Sequence, residues 1–332
     1  MLASSPPHSY SRDFGMLEKA DDADGLWHLT EVGIVGIGIL SQIPWILDFM
    51  KYLPGWDRDV KKLQKFGREC ANARMKDGCT EKDMIYYLIG EDGSEKSIIT
   101  PEMAATDGML AIIAGSDTTA TTMSHFWYFM MMYPEYLARL REEIETTFPN
   151  GEEPNDPGRH ARMPYLNACI NEAMRLYPPV LGGLQRMVDR GTEGAMLGDW
   201  YVPPATQISV NHYSVQRDPR EFYPLPDTFW PDRWLDQDAY KLPTGETIPK
   251  ESLILNRAAF IPFSVGPQSC PGKNLALLEL RLMICALASK FDMELAPGFT
   301  FDDWIDGLHD SWVSTRGPLL VRLASREAKA KA

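Results

Sequence analysis

The sequence of 332 residues is poor in cysteine: Cys70, Cys79, Cys169, Cys270 and Cys285 are odd in number and scattered. That pattern excludes a disulfide framework, and the wide spacing excludes a zinc site built on close cysteine pairs. It suits a reducing compartment or a cytosol-facing surface. Positive charge is also scarce. Lys and Arg number 33 against 46 Asp and Glu, giving a net charge of −13; a nucleic-acid binder would instead carry a basic face. The opening MLASSPPHSYSRDFG lacks a basic stretch followed by an apolar one, so it does not read as a secretory signal. No internal repeat is visible. Long uninterrupted apolar runs are missing too. The nearest, Val32 to Met50, has Gln42, Pro44 and Asp48 in or near its second half. A membrane span needs roughly 20 apolar residues. The run therefore reads as two helical segments joined near Pro44, packed or lying along a membrane surface from Ile34 to Leu53.

What is present is an ordinary globular makeup, with 44% apolar and 24% charged residues, long enough to bury a sizeable core. KKLQKFGRECANARMK reads as a surface helix. Thr100 can cap a helix, Pro101 suits its first position and Glu102 its first turn. From about 100 to 132 the chain is almost continuously apolar, which predicts a long helix buried on most sides. Tyr133-Pro134 ends it, an amphipathic helix PEYLARLREEIETTF follows, and NGEEPNDPG reads as a loop. A further helix is expected from about 164 to 177, stopping at Pro178-Pro179. Residues 180–230 predict short strands and turns, and an irregular segment continues to about Pro262. A last strong helix is expected from Leu275, then short strands in DMELAPG and PLLVRLA. The order predicts a mainly α fold with small β-sheets.

Three segments carry chemistry. In FSVGPQSCPGKNLALLELRL, residues 263–282, a glycine-bearing loop presents Cys270 just before an apolar helix. Free N–H groups and the helix dipole at such a terminus favour a thiolate and tune a bound metal. Gly266 and Gly272 allow close approach of a flat cofactor, and Phe263 can pack on it. A buried structural cysteine in a turn is the plain alternative. In AGSDTT, residues 114–119, Asp117 and Thr118 interrupt an apolar helix, where polar groups are costly unless used or paired. The alternative is a Thr hydroxyl bonded to its own helix beside a partnered Asp. In NEAMRLYPP, Glu172 and Arg175 share a helix face three residues apart.

Taken together, these segments resemble the cytochrome P-450 superfamily. The first is similar to its haem signature F-x-x-G-x-R-x-C-x-G, except that Gln268 stands at the usual arginine. The second is similar to [AG]-G-x-[DE]-T-[TS], and the third to E-x-x-R, with Arg233 of FWPDRW at the arginine of the P-E-R-F/W segment. NRAAFIPFSVGP reads like fungal members. The resemblance covers about residues 30–325. It implies a cytochrome P-450 fold, N-terminally incomplete, with a poorly structured segment 1–30 and a partial haem domain over 31–332.

The resemblance further implies a monooxygenase using haem b, with Cys270 as axial iron ligand. Phe263, Gly266 and Gly272 would line the haem, and Arg186, and less effectively Gln268, would face a propionate; Arg186 can also be read as a surface residue on a strand. Asp117 and Thr118 would guide protons, and Glu172, Arg175 and Arg233 would form a structural ion-pair network. Implied partners are O2, a small apolar substrate of secondary metabolism or xenobiotic oxidation, and NADPH–cytochrome P-450 reductase or cytochrome b5. The implied location is the cytosolic face of the endoplasmic reticulum membrane. The rival reading is a truncated, inactive remnant with weak or no haem binding.

Overall fold

The structure, a computed structural model, describes residues 25–326 apart from Trp56, 79–81, 84–85, 88–90, 94–99 and Arg316. Cys79 and residues 1–24 of the expected N-terminal segment lie outside the described residues. The chain divides into two compact units, residues 1–120 and 121–332.

In the first unit, α1 spans Leu26–Gln42, so residues 26–30, expected to be poorly structured, are helical. A 3-10 turn over Pro44–Ile46 separates it from the short α2, Leu47–Met50, which is the break expected at Pro44. Helix α3, Arg58–Asp77, buries Gly67, Cys70, Ala71 and Arg74 along one stripe. Helix α4, Pro101–Met132, starts where Thr100 Oγ1 accepts from Met103 N at 3.3 Å. Its first turns meet α3 closely. A Cβ on Gly67 would lie 3.2 Å from Met109 Cβ, so a side chain there would push Met109 aside by a few tenths of an ångström. Arg74, expected on a helix surface, is buried, and its Nε donates to Asp83 Oδ2 at 2.6 Å. Among the described residues, no helix is long and apolar enough to cross a membrane.

The second unit begins within α4, where five successive residues, Phe126 to Met130, are all buried. A helix with no polar face must be enclosed by its neighbours. Those neighbours are α5 (Pro134–Thr147), then, after the short α6 (Pro157–Ala161), α7 (Pro164–Leu176). Helix α6 begins inside the segment NGEEPNDPG, which was expected to be loop. Asp156 opens it by accepting from Gly158 N and Arg159 N, with Pro157 in the first position. Strands β1 (Arg186–Met187), β2 (Ala195–Leu197), β3 (Trp200–Val202) and β4 (Gln207–Ile208) pair as β1–β4 and β2–β3.

One helical turn, α8 (His212–Val215), then leads to β5 (Phe222–Tyr223), a 3-10 turn over Pro231–Trp234, and a hairpin of β6 (Ala239–Lys241) and β7 (Thr247–Pro249). That hairpin occupies part of the segment expected to be irregular. Strand β8 (Ile254–Leu255) pairs with β5. Helix α9 (Lys273–Lys290) starts two residues before the expected Leu275. It leads into β9 (Phe291–Leu295); α10 (Phe301–Asp306), a hairpin of β10 (His309–Ser311) and β11 (Val313–Thr315), and β12 (Val321–Ser325), which pairs with β9, complete the unit.

Helices α5, α7 and α9 pack with the end of α4 around Leu140, Leu166, Ile170, Ile284 and Trp304. Two long-range polar clasps fix these helices. Glu143 of α5 accepts from Tyr165 N (2.8 Å) and Leu166 N (2.7 Å), capping α7 from outside. Arg141 donates to Ala288 O (3.0 Å) and Phe291 O (2.8 Å), closing the end of α9.

At the far end of α7, Glu172 is fully buried. Arg175 Nε and Nη2 donate to its two oxygens, both at 2.8 Å, and Arg233 Nε donates to Oε1 at 3.0 Å. Trp230 N (3.0 Å) and Trp234 Nε1 (2.8 Å) donate as well. Burial alone would raise this carboxyl; Arg175 and Arg233 beside it overcome that and hold it down to about 2. A carboxylate depressed in the fold stabilises it above the ordinary value of 4.5, and that contribution is lost as pH falls from there toward 2. Glu172→Gln should therefore cost about 3–5 kcal/mol at neutral pH. The gap between wild type and variant should narrow below pH 4.5, as urea denaturation across pH would measure. A gap unchanged down to pH 2 would contradict the assignment.

Candidate functional site

The loop carrying Cys270 is short and strongly constrained. Ser264 N donates to Ile261 O (2.9 Å), Ser269 N to Gly266 O (3.0 Å) and Cys270 N to Phe263 O (2.8 Å). The last bond folds the strand back so that Phe263 and Cys270 sit side by side at the turn. Gly266 has φ +79°, a left-handed conformation that disfavours side chains, with nothing within 4 Å of its would-be Cβ. Gly272 caps α9 without a side-chain bond, and Cys270 lies two residues ahead of it, at the positive end of the helix. The thiol belongs to an exposed residue. Cys169 and Cys285 are fully buried; burial pushes both thiols up, that of Cys285 to about 12. Of the described cysteines, Cys270 alone is exposed.

The Glu172 network reaches this loop through Gln216, a residue that sequence reasoning missed. Arg175 Nη1 donates to Gln216 O at 2.7 Å. The Gln216 side chain, fully buried, donates to Met174 O and Arg175 O, both at 3.1 Å, and accepts from Ile261 N at 2.9 Å. Trp234 adds a ring contact with Phe260 at 4.7 Å. The structure thus brings Glu172, Arg175 and Arg233 together and ties them to the segment 260–263, from which the Cys270 turn hangs. Trp234 and Gln216 carry no short-range signal in the sequence, because their partners lie 62 and 45 positions away.

Arg186, on β1, turns its guanidinium to the carbonyls of Gln185 (3.2 Å) and Leu184 (3.5 Å). Gln268 is exposed. Asp117 and Thr118 are half-buried on α4 in the first unit, where Thr118 Oγ1 donates to Ala114 O at 2.7 Å. That is the back-bonded rotamer anticipated as the alternative. Thr119 beside it is buried, with its hydroxyl unpartnered.

Comparisons with known proteins show the family of the chain and its fold. The "Cytochrome P450 monooxygenase nodW" of Hypoxylon pulicicidum is 32% identical over 290 residues, covering 87% of this chain and 50% of that protein. "Cytochrome P450 67" of Uromyces fabae is 33% identical over 277 residues, covering 82% and 49%. The chain thus spans about half the length of the curated relatives it matches. A solved cytochrome P450DA heme domain superposes with a TM-score of 0.74 at 17% identity, over 98% of this chain and 66% of that one, a likeness of fold. The family model for cytochrome P450 matches residues 37–310, and the chain belongs to that family.

Proposed function

We propose that the protein is a haem-thiolate monooxygenase that inserts one atom of O2 into a small apolar organic molecule, as in fungal secondary metabolism. The observation that carries this reading is Cys270. It is an exposed thiol in a taut turn at a helix N-terminus, braced by a buried ion-pair network. The residues present fit haem b: a single sulfur donor, an open glycine at 266 and an aromatic ring at Phe263. Haem held by the Cys270 sulfur would supply O2 activation and O–O cleavage.

The chain's own residues would do the rest. Cys270, with Phe263, Gly266 and Gly272, would seat the cofactor. Arg186 and Gln268 would face its propionates. Asp117 and Thr118 would hold and pass protons at the Thr118 hydroxyl, which must leave or share its bond to Ala114 O to do so. Electrons would come from NADPH–cytochrome P450 reductase, or cytochrome b5. The exposed Trp45 (63%), Phe49 (64%) and Tyr52 (77%) support contact with a membrane surface, such as the cytosolic face of the endoplasmic reticulum. Gln268 favours a second reading, a family member with weak haem retention and little turnover, because a neutral amide holds a propionate less firmly than arginine.

Three outcomes follow. The purified chain with haem should give the Soret band of a thiolate-ligated ferrous–carbon monoxide complex. Cys270→Ser should abolish it and Cys285→Ala should not; in the same samples Gln268→Arg should slow haem transfer to apomyoglobin by about tenfold, the scale of a charge-assisted bond. An unchanged band in Cys270→Ser would remove the ligand assignment. Thr118→Ala should leave haem content intact yet raise the hydrogen peroxide formed per NADPH consumed, whereas equal ratios would take Thr118 out of proton delivery. Alkaline carbonate should strip the protein from membranes; retention in the pellet would show an integral attachment.

A further inference from the structure

On the side of α9 that faces α6 lies a cavity of about 190 Å³, lined by Pro157 and His160 from α6 and by Asn274, Leu277, Leu278 and Arg281 from α9. Two of its walls are unusual. Arg281 is half-buried, and its Nε donates to Asn167 Oδ1 at 2.8 Å. No carboxylate meets its guanidinium among the described residues. Asn167 is held in turn by Met163 O (2.6 Å) and His160 O (3.2 Å), so the guanidinium is anchored on one side and open on the other. Burial lowers the basicity of Arg281, and no acid opposes that effect. Neither Asp156 nor Glu279 pairs with Arg281, although Glu279 keeps one buried carboxylate oxygen without a partner. Asp156 caps α6, and Glu279, two positions along α9, points about 200° around the helix. His160 is fully buried, and its ring nitrogens make no hydrogen bond of good geometry; burial lowers its basicity, the Pro154 carbonyl and Asp156 oppose that, and Arg281 and Arg159 add to it.

Buried cations in proteins are normally paired, and buried ring nitrogens normally bonded. Here a cation without a counter-charge and a buried ring with no well-formed hydrogen bond line the same small hollow, beside an amide and two leucines. We propose that this cavity binds a small oxyanion, a phosphate or a carboxylate. The Arg281 guanidinium would hold it, the Asn274 amide and the neutral His160 ring would complete its hydrogen bonds, and Leu277 and Leu278 would face its apolar side. General attraction does not explain such binding, because the chain carries a net charge of −13 and repels anions overall. The site would be separate from the Cys270 turn, although Asn274 stands in the first turn of the same helix.

The test is thermal unfolding of the whole chain at pH 7, in potassium phosphate or potassium butyrate against potassium chloride at matched ionic strength. A ligand that binds only the folded state raises its stability. One of the two oxyanions should raise the melting temperature by about 2–4 °C over chloride, and titration should saturate. If phosphate is the better ligand, its phosphorus NMR line should broaden on adding protein. Arg281→Gln should remove both effects. Asn274→Asp guards against misfolding of that variant: the position is exposed, and an acid there suits the first helical turn. It should keep wild-type stability in chloride and lose the oxyanion effect. Stabilisation by butyrate alone would assign the site to carboxylates, and by phosphate alone to phosphates. No gain over chloride from either, or a gain that survives Asn274→Asp, would overturn the proposal.

Discussion

A carboxylate sealed from water must find cations and donors, and the surroundings of Glu172 are arranged around that requirement. Its two oxygens receive five hydrogen bonds, from Arg175, Arg233, Trp230 N and Trp234. The guanidiniums have donors to spare, which go to carbonyls of the chain that passes them. Arg175 reaches Gln216 O and Pro226 O, and Arg233 reaches Pro224 O and Leu225 O. The stretch 216–234 has little regular secondary structure, so its buried carbonyls lack ladder partners. Two arginines supply what a sheet would otherwise supply. Either arginine without Glu172 would be a buried charge of one sign, and Glu172 without them another, so the three stand or fall together.

The order imposed there is passed on to the thiol by short steps. Gln216 is held at its carbonyl by Arg175 and at its amide by Met174 and Arg175, which leaves its side-chain oxygen fixed in position for Ile261 N. Two residues later Phe263 O receives Cys270 N. An exposed cysteine on a glycine-bearing turn would ordinarily be mobile. This one is tied at its own amide to a turn clamped by a buried network, and α9 begins just beyond it.

Much of this was legible in the sequence because it is encoded locally. Thr100-Pro101, Tyr133-Pro134 and Pro178-Pro179 mark helix ends within a residue or two of where they fall, since capping and the geometry of proline act over one turn. The E-x-x-R pair and the Cys270 segment could be found for the same reason. The parts that were not legible depend on distant partners. Arg74 looked like a surface residue until Asp83 met it, and Gln216 and Trp234 show their value only once α7 is in place. Helix α6 was hidden because Asp156-Pro157-Gly158 is both a good helix start and a good loop. What decides between them is the packing of α6 against α9, which no local pattern records.

The division of the chain bears on how its chemistry is supported. The bonds that hold Glu172, Gln216 and the Cys270 turn all join residues of the second unit, 121–332. Asp117 and Thr118 lie on α4 within the first unit, although the same helix continues into the second and is buried there from Phe126 to Met130. The Thr118 hydroxyl has an internal acceptor at Ala114 O, so it is satisfied within its own helix. Glu172 has no such fallback. Its solvation is made entirely of protein groups, so the network that braces the Cys270 turn cannot lose one partner without leaving a buried charge unpaired.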